Sequence, residues 1–216
     1  MNTRVETRSQ KIGQILIKRV FDLFGGIIGL LVLVPAIIFV KALFIFCGDF
    51  DTIWFTQERV GLEGKLFRVV KFRTMHPGAE DALNDLMNKN PELKAEYAKH
   101  RKLGSDPRIT KAGRFLRRNS IDELPQLLNV LMGDMSLVGP RPYLPEEITD
   151  MGDLYGSIVS CKPGITGFWQ VNGRSTLPFS VRLKYDDYYC RNWSLPMDLN
   201  ILLKTFTVLS SKEGAL

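Results

Sequence analysis

From Leu23 to Val40 the chain carries no charged residue, and after Lys41 the apolar run resumes through Cys47. That is long enough to cross a bilayer as a helix. Pro35 stands in the middle of the run and Gly25, Gly26 and Gly29 near its start, so a kinked membrane helix is the first expectation. Ahead of it, residues 1–19 are polar and basic, with Arg4, Arg8, Lys11, Lys18 and Arg19. No small-residue cleavage site follows the run, which argues against a removable signal peptide. The pattern then changes period. In residues 52–75, Ile53 and Phe55, then Leu66, Val69, Val70 and Phe72, flank a turn-like GLEGK at 61–65. This predicts a hairpin ending at Lys71-Phe72-Arg73, where strand alternation puts Lys71 and Arg73 on one face.

Residues 77–103 are densely charged. Ala82, Leu83, Leu86 and Met87 predict one short amphipathic helix, Leu93 and Tyr97 a weaker second, and Pro91 divides them. The stretch reads as a surface excursion without chemistry. Asp106-Pro107 opens a turn, and Thr110 with Gly113 leads into a helix carrying Arg114 and Arg117 on one face. Next, Ser120 to Glu123 reads S-x-x-E, a capping box, before apolar Leu124, Leu127, Leu128 and Leu131. Pro125 clashes with a helix capped at Ser120 but is tolerated in one capped at Asp122. Either cap sets a carboxylate at a helix start, where the helix dipole favours its ionised form.

Residues 145–160 read as an acidic helix and loop, and Pro163-Gly164 and Asn172-Gly173 as turns. Phe168 and Trp169 between them suit either core packing or a membrane interface. Helical spacing lets only one of Asp186 and Asp187 face a site. The closing segment 197–211 reads as an amphipathic helix that covers the core or lies on a membrane.

Composition narrows the partners. A formal charge of +6 and a pI of about 9.3 favour an anionic surface or substrate. Cys47, Cys161 and Cys190 are odd in number and form no CxxC, which argues against a disulfide framework or a zinc site and fits a reducing compartment. With His76 and His100 the only histidines, a histidine-based triad has little to draw on. The GPRP at 139–142 points to specific chemistry. Two prolines stiffen the backbone around Arg141, whose planar fork suits phosphate or carboxylate. A stiff arginine, the Asp122-Glu123 pair and the basic residues Arg114, Arg117 and Arg118 within 30 residues suggest phosphate chemistry.

KFRTM (71–75), DPRITKAGRFLRR (106–118), SIDELPQLLNVLMGDMSLVGPRP (120–142), KPGITGFWQVNGR (162–174) and YDDYY (185–189) then resemble, in order, the bacterial sugar transferases. These are the monotopic phosphoglycosyl transferases, and the likeness extends over roughly residues 15–210. It implies an α+β fold, mainly helical. A re-entrant membrane helix, a small β-hairpin and interfacial amphipathic helices would surround a cytoplasmic active site. The divisions it implies are a basic segment 1–19, a membrane-inserted helix 20–47 broken at Pro35, and a catalytic domain 48–216 resting on the cytoplasmic face of the bacterial inner membrane. The family often has a hydroxyl residue before this proline, where Val34 stands here.

The reaction implied is transfer of a sugar phosphate from a UDP-sugar to undecaprenyl phosphate with release of UMP, an early membrane step of polysaccharide synthesis. Asp122 is the expected nucleophile, forming a phospho-sugar aspartate, and Glu123 the residue that orients it or handles protons. Lys71, Arg73, Arg117, Arg141 and Arg174 are the expected phosphate ligands. Asp122 and Asp186 would contact Mg²⁺, or Mn²⁺ in its place. Inner-membrane lipid is an expected partner and nucleic acid is not, while a homo-oligomer is left open. Galactose or glucose is the expected sugar, with acetamido sugars also open. A basic membrane adaptor and a two-carboxylate glycosidase are the competing readings. The adaptor gives no reason for the acid pair beside GPRP, and the glycosidase needs two carboxyls roughly 5–9.5 Å apart on opposite sides of a sugar.

Overall fold

The computed structural model describes residues 8–173 and 176–211. It bears out an α+β fold that is mainly helical. Helix α1, Arg8–Phe46, is one helix with Pro35 inside it, and it starts twelve residues before the expected boundary at 20. Its Gly13–Phe46 portion is long and apolar enough to cross a membrane.

One stripe of α1 nonetheless faces protein along most of its length. Strand β3 (Ser136–Val138) and helix α5 (Gln126–Met132) receive its first half. Asp22 Oδ1 accepts from Ser136 Oγ and from the Leu137 N–H, both at 2.9 Å. Arg19 donates to the Val130 and Leu131 carbonyls at 2.6 and 2.9 Å, closing the carboxy-terminal end of α5. Lys18 pairs with Asp198 at 2.6 Å. Lys18 and Arg19, which read as a flanking charge, are thus docking residues. A Cβ on Gly25, Gly26 or Gly29 would come within 2.5–2.7 Å of Leu137, Leu131 or Leu127, so these glycines mark close helix packing. The second half continues the stripe with Leu33, Val40 and Phe44, which share a core with Ile53, Phe72, Ala112 and Leu116. The opposite face stays bare, with Leu16, Phe24, Leu31 and Ile38 all exposed.

Strands β1 (Trp54–Val60) and β2 (Leu66–Phe72) form the expected antiparallel hairpin, pairing Trp54 with Phe72 and Val60 with Leu66. The turn is a short 3-10 segment, Leu62–Gly64, in which Glu63 and Gly64 take φ of 57° and 78°. Helices α2 (Ala79–Lys89) and α3 (Pro91–His100) bury no residue, as a surface excursion should. Helix α4, Lys111–Arg118, is capped by Thr110, whose hydroxyl accepts from the Gly113 N–H at 2.8 Å. It crosses the end of β2 so closely that a Cβ on Gly113 would lie 2.0 Å from the Thr74 carbonyl oxygen.

Beyond the site, helices α6 (Ile148–Met151) and α7 (Tyr155–Ile158) are single turns where one acidic helix was expected. Strand β4, Gly164–Thr166, runs parallel to β3. Helix α8 (Phe179–Asn192) buries Phe179, Leu183, Asp186 and Tyr189, and helix α9 (Leu195–Ser211) closes the fold. On α9, Ile201 is buried while Leu199, Leu203 and Phe206 form an exposed apolar stripe. Trp169 is buried, which decides for core packing over a membrane-facing role for that ring.

Candidate active site

The capping box does not form. Ser120 adopts φ 53° and makes no side-chain cap, Ile121–Glu123 is a 3-10 turn, and α5 begins only after Pro125. The proline occupies the N-cap position, where its missing N–H costs nothing. This tight turn separates the two carboxylates. Glu123 accepts from Lys71 Nζ at 2.8 Å and from the buried Gln126 side chain. Burial pushes the Glu123 carboxyl up, but the Lys71 charge and hydrogen bond, with Arg141 and Gln126, more than offset this and leave it below its usual value. Asp122 has no such partner. Among the described residues its only hydrogen bond is to its own backbone N–H. Burial, then the negative charge of Glu123, raises it to about 6 against the opposing pull of Lys71 and Arg117.

Cations surround the pair. Arg117 is braced by a bond from its Nε to Thr74 Oγ1 at 2.9 Å and lies in the fields of Asp122 and Asp106. Arg141 stands between Pro140 and Pro142, and its guanidinium has no hydrogen-bond partner among the described residues. A cleft collects Arg141, Lys71, Glu123 and Gln126 together with Arg59 and Gln170. Arg59 went unrecognised in the sequence. It is buried at the end of β1, donating to the Pro142 carbonyl at 3.1 Å and to Gln57 Oε1 at 2.6 Å. Burial, and then Arg141, lowers it to about 10, so it still carries its charge at neutral pH. Its only sequence signal was a charged residue at an inward strand position.

The remaining candidates separate. Lys71 is in the site, but Arg73 is not. Strand β2 ends at Phe72, so alternation no longer governs the next residue. Arg73 turns away to pair with Asp49 at 2.7 Å, donates to the Thr52 and Met75 carbonyls, and lies over the Phe44 ring. It is a structural arginine rather than a phosphate ligand. Arg174 falls outside the described residues.

Asp186 is fully buried beneath GPRP. Its Oδ2 accepts from the Arg141 N–H at 3.1 Å and the Tyr143 hydroxyl at 2.6 Å. Burial raises its carboxyl to about 7 despite those bonds. Through Oδ2, Asp186 holds the backbone that carries Arg141, while its buried Oδ1 has no hydrogen-bond partner among the described residues. Asp187, as expected, is the outward neighbour, paired with Arg191. No group of three His, Cys, Asp or Glu converges among the described residues. A Mg²⁺ ion carried mainly by substrate phosphates needs only one or two carboxylates, and Asp122 fits that demand.

Known proteins are similar to this chain over nearly all of its length. The family model described as bacterial sugar transferase matches residues 13–212. An undecaprenyl-phosphate galactose phosphotransferase of Salmonella typhimurium is 40% identical over 215 residues, covering 100% of this chain and 45% of that protein. An uncharacterized sugar transferase of Haemophilus influenzae is 39% identical, covering 95% of this chain and 43% of its own length. The exopolysaccharide production protein ExoY of Sinorhizobium fredii is 39% identical, covering 92% of this chain and 87% of its own. The chain therefore spans less than half of the first two relatives and most of the third. Matched by the family model across nearly all of its length, and by these relatives, the chain belongs to the bacterial sugar transferase family.

Proposed function

We propose that the protein transfers a hexose 1-phosphate from a UDP-sugar to undecaprenyl phosphate, through a covalent intermediate on Asp122. The observation that carries this reading is the inequality of two adjacent carboxylates. Glu123 is held by Lys71 and Gln126, whereas Asp122 is free, desolvated and more basic than usual. A nucleophile should be in that state: ionised at pH 7–8, poorly solvated and not engaged elsewhere. Asp122 attacks the phosphorus that bears the sugar, the bond to the UMP oxygen breaks, and UMP leaves. The acceptor's phosphate oxygen then attacks the same phosphorus and displaces Asp122. Lys71, Arg59, Arg117 and Arg141 neutralise the phosphate oxygens, and Asp186 fixes the backbone that carries Arg141. Mg²⁺, bound through Asp122 and the diphosphate, would add further charge neutralisation.

The names of the Salmonella and Sinorhizobium relatives support a lipid-phosphate acceptor and a role in polysaccharide synthesis. The bare faces of α1 and α9 support a membrane location, which we assign to the cytoplasmic side of the inner membrane. Both the Lys18–Asp22 end and the Val40–Phe44 end of α1 are docked on one domain. Their centres are separated by about 33 Å of helix at 1.5 Å per residue, and docking of both on one domain favours a re-entrant or surface-lying helix over a spanning one.

The test uses protein with UDP-galactose or UDP-glucose and Mg²⁺ but no polyprenyl phosphate. UMP should appear in a burst no larger than the enzyme concentration, with one hexose phosphate added to the peptide containing Asp122. UMP release only when both substrates are present, with no adduct, would make the displacement direct and Asp122 at most a metal ligand.

A further inference from the structure

The proposed chemistry leaves Cys161 and Cys190 unused. They are 29 residues apart in sequence, yet both are half-buried in one apolar cluster with Val138, Tyr189 and Ile201. A single carbonyl oxygen locates them: that of Ile158 lies 3.6 Å from Cys190 Sγ and 3.5 Å from the Cys161 backbone nitrogen. The Cys190 S–H donates to that carbonyl, and the two thiols lie within interaction range of each other. Their interaction favours the Cys161 thiolate and, with burial, holds the Cys190 thiol protonated.

What surrounds the pair gives it a consequence. Cys161 begins the Cys161–Gly164 segment that lies under GPRP. Gly164 N–H donates to the Pro140 carbonyl at 2.8 Å, and Gly139 packs so close that a Cβ would stand 2.3 Å from the Lys162 carbonyl oxygen. A small cavity lined by Cys161, Pro163, Pro140 and Arg141 lies between the thiol and the arginine. Cys190 sits one helical turn beyond Asp186, on the same face of α8, and Asp186 holds the Arg141 N–H. One thiol therefore belongs to the segment under the loop and the other to the helix that anchors it.

We propose that Cys161 and Cys190 form a reversible disulfide that lowers turnover by displacing Arg141. With a peroxide as oxidant, the Cys161 thiolate attacks a peroxide oxygen to give a sulfenic acid, and the O–O bond breaks. The Cys190 sulfur then attacks the Cys161 sulfur and water leaves, so two thiols and one peroxide give one disulfide and two waters. Bond formation draws the two sulfurs to about 2.05 Å, well inside van der Waals contact. Because interiors are close-packed, β4 and α8 must shift to allow this, and the loop between them shifts too.

The experiment uses the full chain carrying Cys47→Ser, reduced, in detergent, and then exposed to hydrogen peroxide. Maleimide labelling should lose both thiols, and peptide mapping should show a 161–190 cross-link lighter by two hydrogens. UMP release should fall several-fold, and dithiothreitol should restore both. Cys161→Ala and Cys190→Ala should each keep the basal rate and lose the reversible inhibition, with the corresponding serine variants as checks against a packing defect. Absence of the cross-link would overturn the proposal, as would a cross-linked protein of unchanged rate. The cross-link is read by mass alone, so its result stands whether or not the covalent Asp122 mechanism holds.

Discussion

Replacing Asp122 by Asn should make the protein more stable while removing its turnover. The Asp122 carboxyl is raised from 3.8 to about 6, chiefly by burial and then by Glu123. Well below pH 3.8 the folded and unfolded chains both hold the proton, and the residue is neutral in effect. As pH rises past 3.8 the unfolded chain ionises first and gains stability. The penalty to the fold grows until the folded carboxyl ionises near pH 6, and is complete above that. A rise of about two units corresponds to at most about 3 kcal/mol. Asparagine is nearly isosteric and carries no charge to desolvate. For a chain of this size each kcal/mol moves Tm by about 2–4 °C, so a gain of up to roughly 6–12 °C is expected at pH 8. Thermal unfolding of parent and variant in detergent with a chelator, at pH 8 and pH 4.5, measures it. The gain should be full at pH 8 and fall to about a third of that at pH 4.5. An Asn variant that melts below the parent at pH 8, or whose gain is the same at both pH values, would mean that the carboxylate supports the fold rather than straining it.

Arg141→Lys keeps the charge but loses the planar fork on its stiff backbone, so kcat/KM should fall about tenfold or more, some 1.4 kcal/mol or greater. A variant matching the parent over a range of donor concentrations would make Arg141 a turn residue. Arg73→Lys can replace only part of the bonding to Asp49, Thr52 and Met75, and should lower stability by about 1–3 kcal/mol with little change in donor KM. Unaltered stability with a raised KM would return Arg73 to the phosphate site. Single cysteines at Asn2 and Lys212, in a Cys-free background, should label from the cytoplasmic side alone. Labelling from opposite sides would exclude a re-entrant or surface-lying α1.

Local pattern carried much of the fold. Alternation marked the hairpin, Pro91 divided α2 from α3, and Thr110 began α4, because each depends on neighbours within a few residues. Features decided by distant partners were not legible. Ser120 and Glu123 have the spacing of a capping box, but Lys71, from another element, takes the glutamate. Arg73 alternates correctly with Lys71, yet Asp49 lies within its reach just past the strand end. Arg59 entered the site through the Pro142 carbonyl, 83 positions along the chain. Asp186 was placed near the site, but Tyr143 and the Arg141 N–H, which give it its work, lie more than 40 residues away.

The inner stripe of α1 has a practical consequence for anyone wishing to handle the protein without detergent. Cutting the chain after Cys47 would strip Leu33, Val40 and Phe44 from the core they share with Phe72 and Leu116. It would also leave Asp198, 6% exposed and bonded to Tyr189 and Trp193, without its lysine. The truncated product should therefore aggregate as a damaged domain instead of dissolving as a trimmed one. Recoding the outer face at Leu16, Phe24, Leu31 and Ile38 to polar residues removes the greasy surface and leaves the docked one intact.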